Sequence, residues 1–379
     1  MSLSILIGGD LCPIGKPAKL FQQGDAQKIF HDLVSEFECS DISLVNLECP
    51  LTDNGMPTFK SGPVLNAPSS SINGMKNAGI DIINLANNHI MDYGPEGLRN
   101  TLNICRGAKI NIVGAGKNIH EACKPMIQEI NGIRTAFLAM AEHEWSIADK
   151  KTPGANPLDI IFYREFIKDY HDKYDYLVVL VHGGKENYPY PSPEDQRVAR
   201  FFVNEGANAV VFQHSHVAGC YEMYKNSPIV YGQGNLLFDK GPNQPDSWNR
   251  GFLVKLVVDK KKGCDFNIIP FSITDTREGI QKMQGEEKEK FIQEIYKRNE
   301  QILTDGFIEN KWVETCISEE KRYMRIFLNY NRLFSLFNRF ISIDKLLFKK
   351  EWKSRILSYI RCESHRESIL SILEEKYLR

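Results

Sequence analysis

Five apolar runs, spread between residues 5 and 216, each end in side chains able to bind a metal. They are "ILIGGD", closing on Asp10; "SLVNLE", on Asn46 and Glu48; "IINLANNH", on Asn88 and His89; "LVVLVHGG", on His182; and "VVFQHSH", on His214 and His216. Helix-length amphipathic segments separate these runs, and the alternation predicts an α/β fold. In open α/β sheets, sites form outside the carboxyl ends of the strands, so these five loops can converge although they are distant in sequence. His214 and His216 are two apart, and in an extended segment both point to one side of the chain. Three imidazoles, two carboxylates and an amide oxygen make a mixed donor set suited to Zn, Mn or Fe, and too rich in nitrogen for a dedicated Ca or Mg cage. A single histidine after a strand is usually structural. Five strand ends sharing one chemistry are not explained that way.

At 379 residues the chain exceeds the range over which one core usually grows. The α/β rhythm ends near residue 275, with "GFLVKLVVDKKKGCDFNIIPFSI" expected as an antiparallel hairpin, and near-continuous helix follows. The expected division is therefore a large domain over residues 1-275 and a helical region over 276-379. Lys321 to Arg379 holds fourteen Lys/Arg against six Asp/Glu, whereas the whole chain has a net charge of -1, so the tail is basic and the body acidic. In that tail Phe327, Tyr330, Phe334, Phe337 and Phe340 sit at helical spacings beside cations. Such a pattern suits either a helix packed on a neighbouring surface, which the aromatic density favours, or one lying on an anionic membrane.

The near-neutral total gives no pull toward nucleic acid. "MSLSILIGGDLCP" shows neither a cationic leader nor an apolar stretch long enough to span a bilayer, which predicts a cytoplasmic protein, with membrane association through the basic tail as the alternative. Nine cysteines, odd in number and without a CxxC, argue against a disulfide framework. The loop "ENYPYPSPED" is of the kind that lines a site.

Taken in order, "GGD", "NLECPLT", "NLANNHIMDYGPEGL", "VGAG", "HGGKENY", "QHSHV" and "GQGNLLFD" resemble the motifs of the CapA-type capsule (poly-γ-glutamate) synthesis proteins. That branch resembles the calcineurin-like metallophosphoesterases. The resemblance covers residues 5 to 275 and implies a four-layer αββα sandwich holding two divalent metal ions. It assigns Asp10 to the first metal, Glu48 to a bridge between both, Asn88 and His182 to the second, and divides His214 and His216 between them. His89 occupies the position of a residue that protonates the leaving oxygen, with Asp92 orienting its imidazole. Lys60, in "TFKSG", falls where the family often has a basic residue and would meet a phosphate or carboxylate; Asn46 and Glu186 complete the expected substrate contacts.

The first motif departs from the usual Asp-x-His: Leu11 and Cys12 follow Asp10, which makes Cys12 a candidate sulfur ligand. Two cations about 3.5 to 4 Å apart can activate a water and clamp both the attacking and leaving oxygens of a phosphoryl displacement. The implied activity is phosphoester hydrolysis in capsule or cell-surface polymer biosynthesis, on a phosphorylated small molecule or an anionic polymer. The competing reading is a non-catalytic accessory subunit that binds an anionic polymer within a capsule-synthesis complex.

Overall fold

In the computed structural model of the chain, residues 2–241, 244–259, 263–320, 322–323 and 350–373 are described. The strands, in chain order, are β1 (Ser2–Cys12), β2 (Ile42–Leu47), β3 (Ile82–Asn84), β4 (Asn111–Val113), β5 (Ala115–Gly116), β6 (Met126–Ile130), β7 (Ile133–Ala141) and β8 (Gly154–Ala155). They continue with β9 (Tyr176–His182), β10 (Ala209–Gln213), β11 (Tyr221–Tyr224), β12 (Ser227–Val230), β13 (Asn235–Phe238), β14 (Arg250–Asp259), β15 (Gly263–Ile273) and β16 (Ile280–Lys282). One sheet runs β16-β15-β14-β1-β2-β3-β4, with β13 also pairing β1; a second runs β11-β12-β10-β9-β7-β6. Strands β1 to β4 are mutually parallel, as are β7, β9, β10 and β12, whereas β14, β15 and β16 pair antiparallel. Parallel centres explain why the ligand-bearing runs read as almost unbroken apolar stretches, since both faces of such strands are buried.

Alternate residues of β9 show the layering. Val178 and Leu180 join the core shared with Ile5, Ile7 and Val45 of the first sheet. Leu177, Val179 and Val181 instead pack with Tyr163 and Phe166 of helix Ile160–Tyr170 and with Ala199 and Phe202 of helix Pro193–Asn204. On the other side, helices Ala18–Gln23, Ala26–Phe30, Ile72–Asn77 and Gly94–Ala108 supply Phe21, Phe30, Met75 and Leu98 to the larger core. The result is a helix, sheet, sheet, helix sandwich, in which each fully buried Val, Leu or Ile contributes about 1.5–3 kcal/mol. Local signals start the outer helices: Ser192 and Asp195 form a capping box ahead of Pro193 at the first turn, and the Asp159 carboxylate accepts from Ile161 and Phe162 N–H.

The first compact unit is Met1–Trp312 and the second is Val313–Arg379. The first passes residue 275, the boundary expected from the change in composition. Helix Gly285–Ile302 is charged over most of its surface, yet it buries Phe291, Ile295 and Ile302, a narrow stripe on one face. Of the second unit, helices Lys350–Arg361 and Glu363–Leu373 are described. The aromatic set Phe327 to Phe340 lies outside the described residues. No described helix is long and apolar enough to cross a membrane.

Candidate metal centre

Strand β1 shifts register between Asp10 and Leu11, so Asp10 sits at an irregularity between Asn46 of β2 and Asn235 of β13. Its Oδ1 accepts from Asn46 Nδ2 at 2.7 Å and its Oδ2 from the His214 N–H at 2.9 Å. Glu48 follows β2 and donates its N–H to the Leu11 carbonyl at 2.9 Å. Both Glu48 carboxylate oxygens are buried and have no hydrogen-bond partner. His216 Nε2 stands 3.6 Å from Glu48 Oε1, while its Nδ1 is 2.9 Å from Asn235 Oδ1 and 3.5 Å from Asp10 Oδ2. His182 Nε2 stands 3.1 Å from both Asn88 Oδ1 and His214 Nδ1, and 4.0 Å from Glu48 Oε1. Six side chains from the five loops thus meet. Glu48, His214 and His216 bring their ligand atoms within 4.8 Å of one another.

The two histidines do not converge by extension. β10 ends at Gln213, and His214 and His216 have φ of 98° and 57°, both in the left-handed region. Such backbone costs about 1–3 kcal/mol per residue and persists where surrounding structure holds it. The expectation of an extended His-x-His is corrected accordingly: the chain coils back at each histidine, bringing both rings inward, with centroids 5.9 Å apart.

The donor set fits a divalent transition metal. Bonds of about 2.0–2.2 Å to nitrogen and oxygen imply donor–donor edges of about 3.0–3.5 Å. The separations of 3.1, 3.6 and 4.0 Å that involve His182 Nε2, His214 Nδ1, His216 Nε2 and Glu48 Oε1 lie at or just above that span. Charge agrees with geometry. Burial pushes the Asp10 carboxyl up to about 6, and burial together with the Asp10 charge drives Glu48 well above the carboxylate range. Burial and the neighbouring histidines pull His182 and His216 well below the usual imidazole value. Buried carboxylates and neutral imidazoles in contact call for a cation.

A second constellation adjoins the first. His89 Nδ1 lies 2.6 Å from Asp92 Oδ2, and the Leu65 N–H also donates to that oxygen at 2.7 Å. Lys60 pairs with Asp92 Oδ1, and its Nζ is 3.2 Å from His89 Nδ1 and 3.4 Å from the Asn88 carbonyl. The Lys60 side chain is only 3% exposed, so its ammonium is engaged inside the protein.

Other expected residues fall differently. Asn46 is fully buried behind Asp10 and His182, with its Nδ2 3.2 Å from His182 Nδ1. Glu186 is exposed at the rim, close enough for its charge to act on Glu48. Cys12 is outside the cluster, and burial, with Cys49 and Glu48 adjacent, pushes its thiol well up, which disfavours the thiolate a metal needs. In the tyrosine-rich loop, Tyr188 and Tyr190 pack against Trp312 and Phe307, while the Asn187 N–H donates to the Ser215 carbonyl between the two histidines at 2.8 Å. Sequence reading gave no role to Asn87, whose Nδ2 donates to Asn46 Oδ1 and the Leu47 carbonyl while its Oδ1 accepts from the His89 N–H. Nor did it give one to Asn235, which fixes His216, although both lie in the motifs "NNH" and "GQGN". Glu142 and Glu144, which border Asn88, His182 and His214, carried no signal.

Residues 4–240 match the family model described as bacterial capsule synthesis protein PGA_cap. The chain belongs to this family. It is 29% identical over 304 residues to the PGA biosynthesis protein CapA of Bacillus subtilis, covering 78% of each chain. It is 34% identical over 248 residues to the capsule biosynthesis protein CapA of Bacillus anthracis, covering 63% of this chain and 60% of that relative. A phosphatase from Mycoplasma pneumoniae is similar in structure, with a TM-score of 0.45 and 16% identity over 72% of this chain and 94% of that one. The family match contains all of the ligand candidates and ends before β14, which completes the first sheet beside β1.

Proposed function

We propose that this PGA_cap member is a metal-dependent phosphoester hydrolase serving capsule or cell-surface polymer biosynthesis. The observation that supports this best is Glu48: a fully buried carboxylate whose two oxygens have no protein partner and face imidazoles from two other loops. Asp10, Glu48, Asn88, His182, His214 and His216 would hold divalent cations, drawn from Mn, Zn or Fe by the donor set. Bound there, the cations supply Lewis acidity toward a phosphoryl oxygen. The chain's own side chains do the rest. Asn46 holds Asp10 and His182 in register, Asn235 turns His216 Nε2 toward Glu48, and Asn87 ties the His89 turn to β2. The contact to Asp92 fixes the orientation of the His89 ring at Nδ1, and on this reading Nε2 would face the leaving oxygen.

Metal analysis of the purified protein, followed by assays on phosphomonoesters, phosphodiesters and γ-linked glutamate polymers, tests the reading. His89→Asn should keep its metal and lose turnover on alkyl phosphates by about 10²- to 10⁴-fold, with a much smaller loss on nitrophenyl esters, whose leaving group needs little protonation. Equal losses on both substrates would remove His89 as the acid. One observation favours the accessory role: Cys12, where the usual Asp-x-His has its histidine, adds no donor. Metal uptake without turnover on any phosphoester, together with binding of the polymer, would establish that alternative. We further propose a domain boundary near residue 275, a cytoplasmic location, and basic C-terminal helices that pack on a neighbouring protein surface, with contact to an anionic membrane as the alternative.

A further inference from the structure

Beyond β13, neighbouring charges are treated unequally. The Asp239 carboxylate accepts from the Lys16 N–H at 3.0 Å, the Gly241 N–H at 3.0 Å and the Arg277 guanidinium at 2.7 Å, so its charge is answered. Lys240 is exposed, and among the described residues no carboxylate stands within ion-pair distance of it. Its Nζ lies over two rings instead, 4.4 Å from the centre of Phe238 and 4.7 Å from that of Trp248. These rings also wall His216, with centroids 5.6 and 4.4 Å away. The shelf is rigid: Trp248 is buried and donates its Nε1–H to the Phe238 carbonyl at 2.9 Å. A cation over aromatic faces is held in place while keeping its N–H donors free for an anion.

Among the described residues, carboxylates stand at the other side of the site. Glu142 and Glu144 border Asn88, His182 and His214, Glu186 is exposed nearby, and Lys60 is already paired with Asp92.

We propose that Lys240, seated on the Phe238–Trp248 shelf, is the anion-recognition residue of this site and binds the phosphoryl oxygens of the substrate. The inference rests on the phosphoesterase reading. It narrows the substrate to one whose phosphoryl group approaches from the His216 side, with its less anionic part against the acidic wall of Glu142 and Glu144.

Inorganic phosphate, titrated calorimetrically into the full-length, metal-loaded protein, is the probe. Lys240→Met should keep the metal content and raise the phosphate Kd about ten- to a hundredfold, the range of a hydrogen bond to a charged group. Lys240→Arg should stay within about threefold, because it keeps the charge and the ring contact. The salt dependence of phosphate binding should shrink in Lys240→Met alone. Unchanged phosphate affinity in a metal-loaded Lys240→Met protein would overturn the inference and leave the phosphoesterase reading standing. A wild-type protein that takes up no metal and binds no phosphate would overturn both.

Discussion

Glu48 and Glu222 are both closed off from solvent, yet only one of them has its charge answered inside the protein. Glu222, on β11, receives the Arg200 guanidinium in a two-point contact at 3.0 and 2.6 Å and the Tyr231 hydroxyl at 2.7 Å. It ties helix Pro193–Asn204 to the edge of the second sheet. Glu48 receives nothing at either oxygen. Burying an unpaired carboxylate costs several kcal/mol, so a chain keeps such a group where something other than stability selects it. On the proposed function the first glutamate belongs to a binding site, whereas the second is part of the scaffold.

The sharpest way to break that contrast is to neutralise each. Glu48→Gln should lose bound metal entirely after dialysis, and with chelator present it should unfold no more easily than wild type. A variant that keeps full metal content, or that is destabilised without metal, would put Glu48 in the same class as Glu222. Glu222→Gln should do the reverse, keeping metal while losing about 2–3 kcal/mol in urea unfolding; Arg200 is partly exposed, which holds the loss below that of a fully buried pair.

A smaller effect probes how the scaffold reaches the site. Arg298, on helix Gly285–Ile302, donates to the Ala218 and Gly219 carbonyls at 2.9 and 3.3 Å, just beyond His216. Arg298→Met should weaken metal binding about tenfold in a chelator competition while the sheets stay folded. Unaltered metal affinity would show that the histidine loop holds itself. The smallest effect belongs to Glu36, a partly exposed carboxylate between Lys255 and Lys282. Burial pushes its carboxyl up, but the two ammoniums outweigh this and hold it below its usual 4.5. A lowered folded value means stability that is complete above about pH 4.5 and lost as pH falls through the folded value. Glu36→Gln should therefore flatten the acid side of the stability curve by less than about 1 kcal/mol. An acid limb identical to wild type would remove even that contribution.

Much of this was legible in the residues. The five apolar runs that end in ligand candidates mark parallel strands of both sheets, because burial on two faces forces continuous apolar sequence. The hairpin of β14 and β15 was equally plain. What escaped were directions. Nothing in "QHSH" shows that both histidines take positive φ, since that backbone is imposed by Asp10, which accepts the His214 N–H, and by Asn235. Nothing in "TFKSG" shows that Lys60 turns inward to Asp92, because a lysine in a polar loop reads as solvated. The packing of helix Gly285–Ile302 was hidden by its charges; three buried residues in eighteen make a weak pattern.

The place of β1 in its sheet also governs when the molecule can be finished. Ser2 to Ile7 pair with β14 from Asp259 back to Val254, and Asp10 lies beside Asn235 of β13, so one flank of the first strand made is covered by some of the last made. At about 5–20 residues per second on the ribosome, that flank waits roughly ten to fifty seconds for its partner, an open edge in the interval. Until then Asp10 is held by Asn46 and, once residue 214 is made, by the His214 N–H. An unfinished chain therefore offers an apolar strand edge until β14 is made.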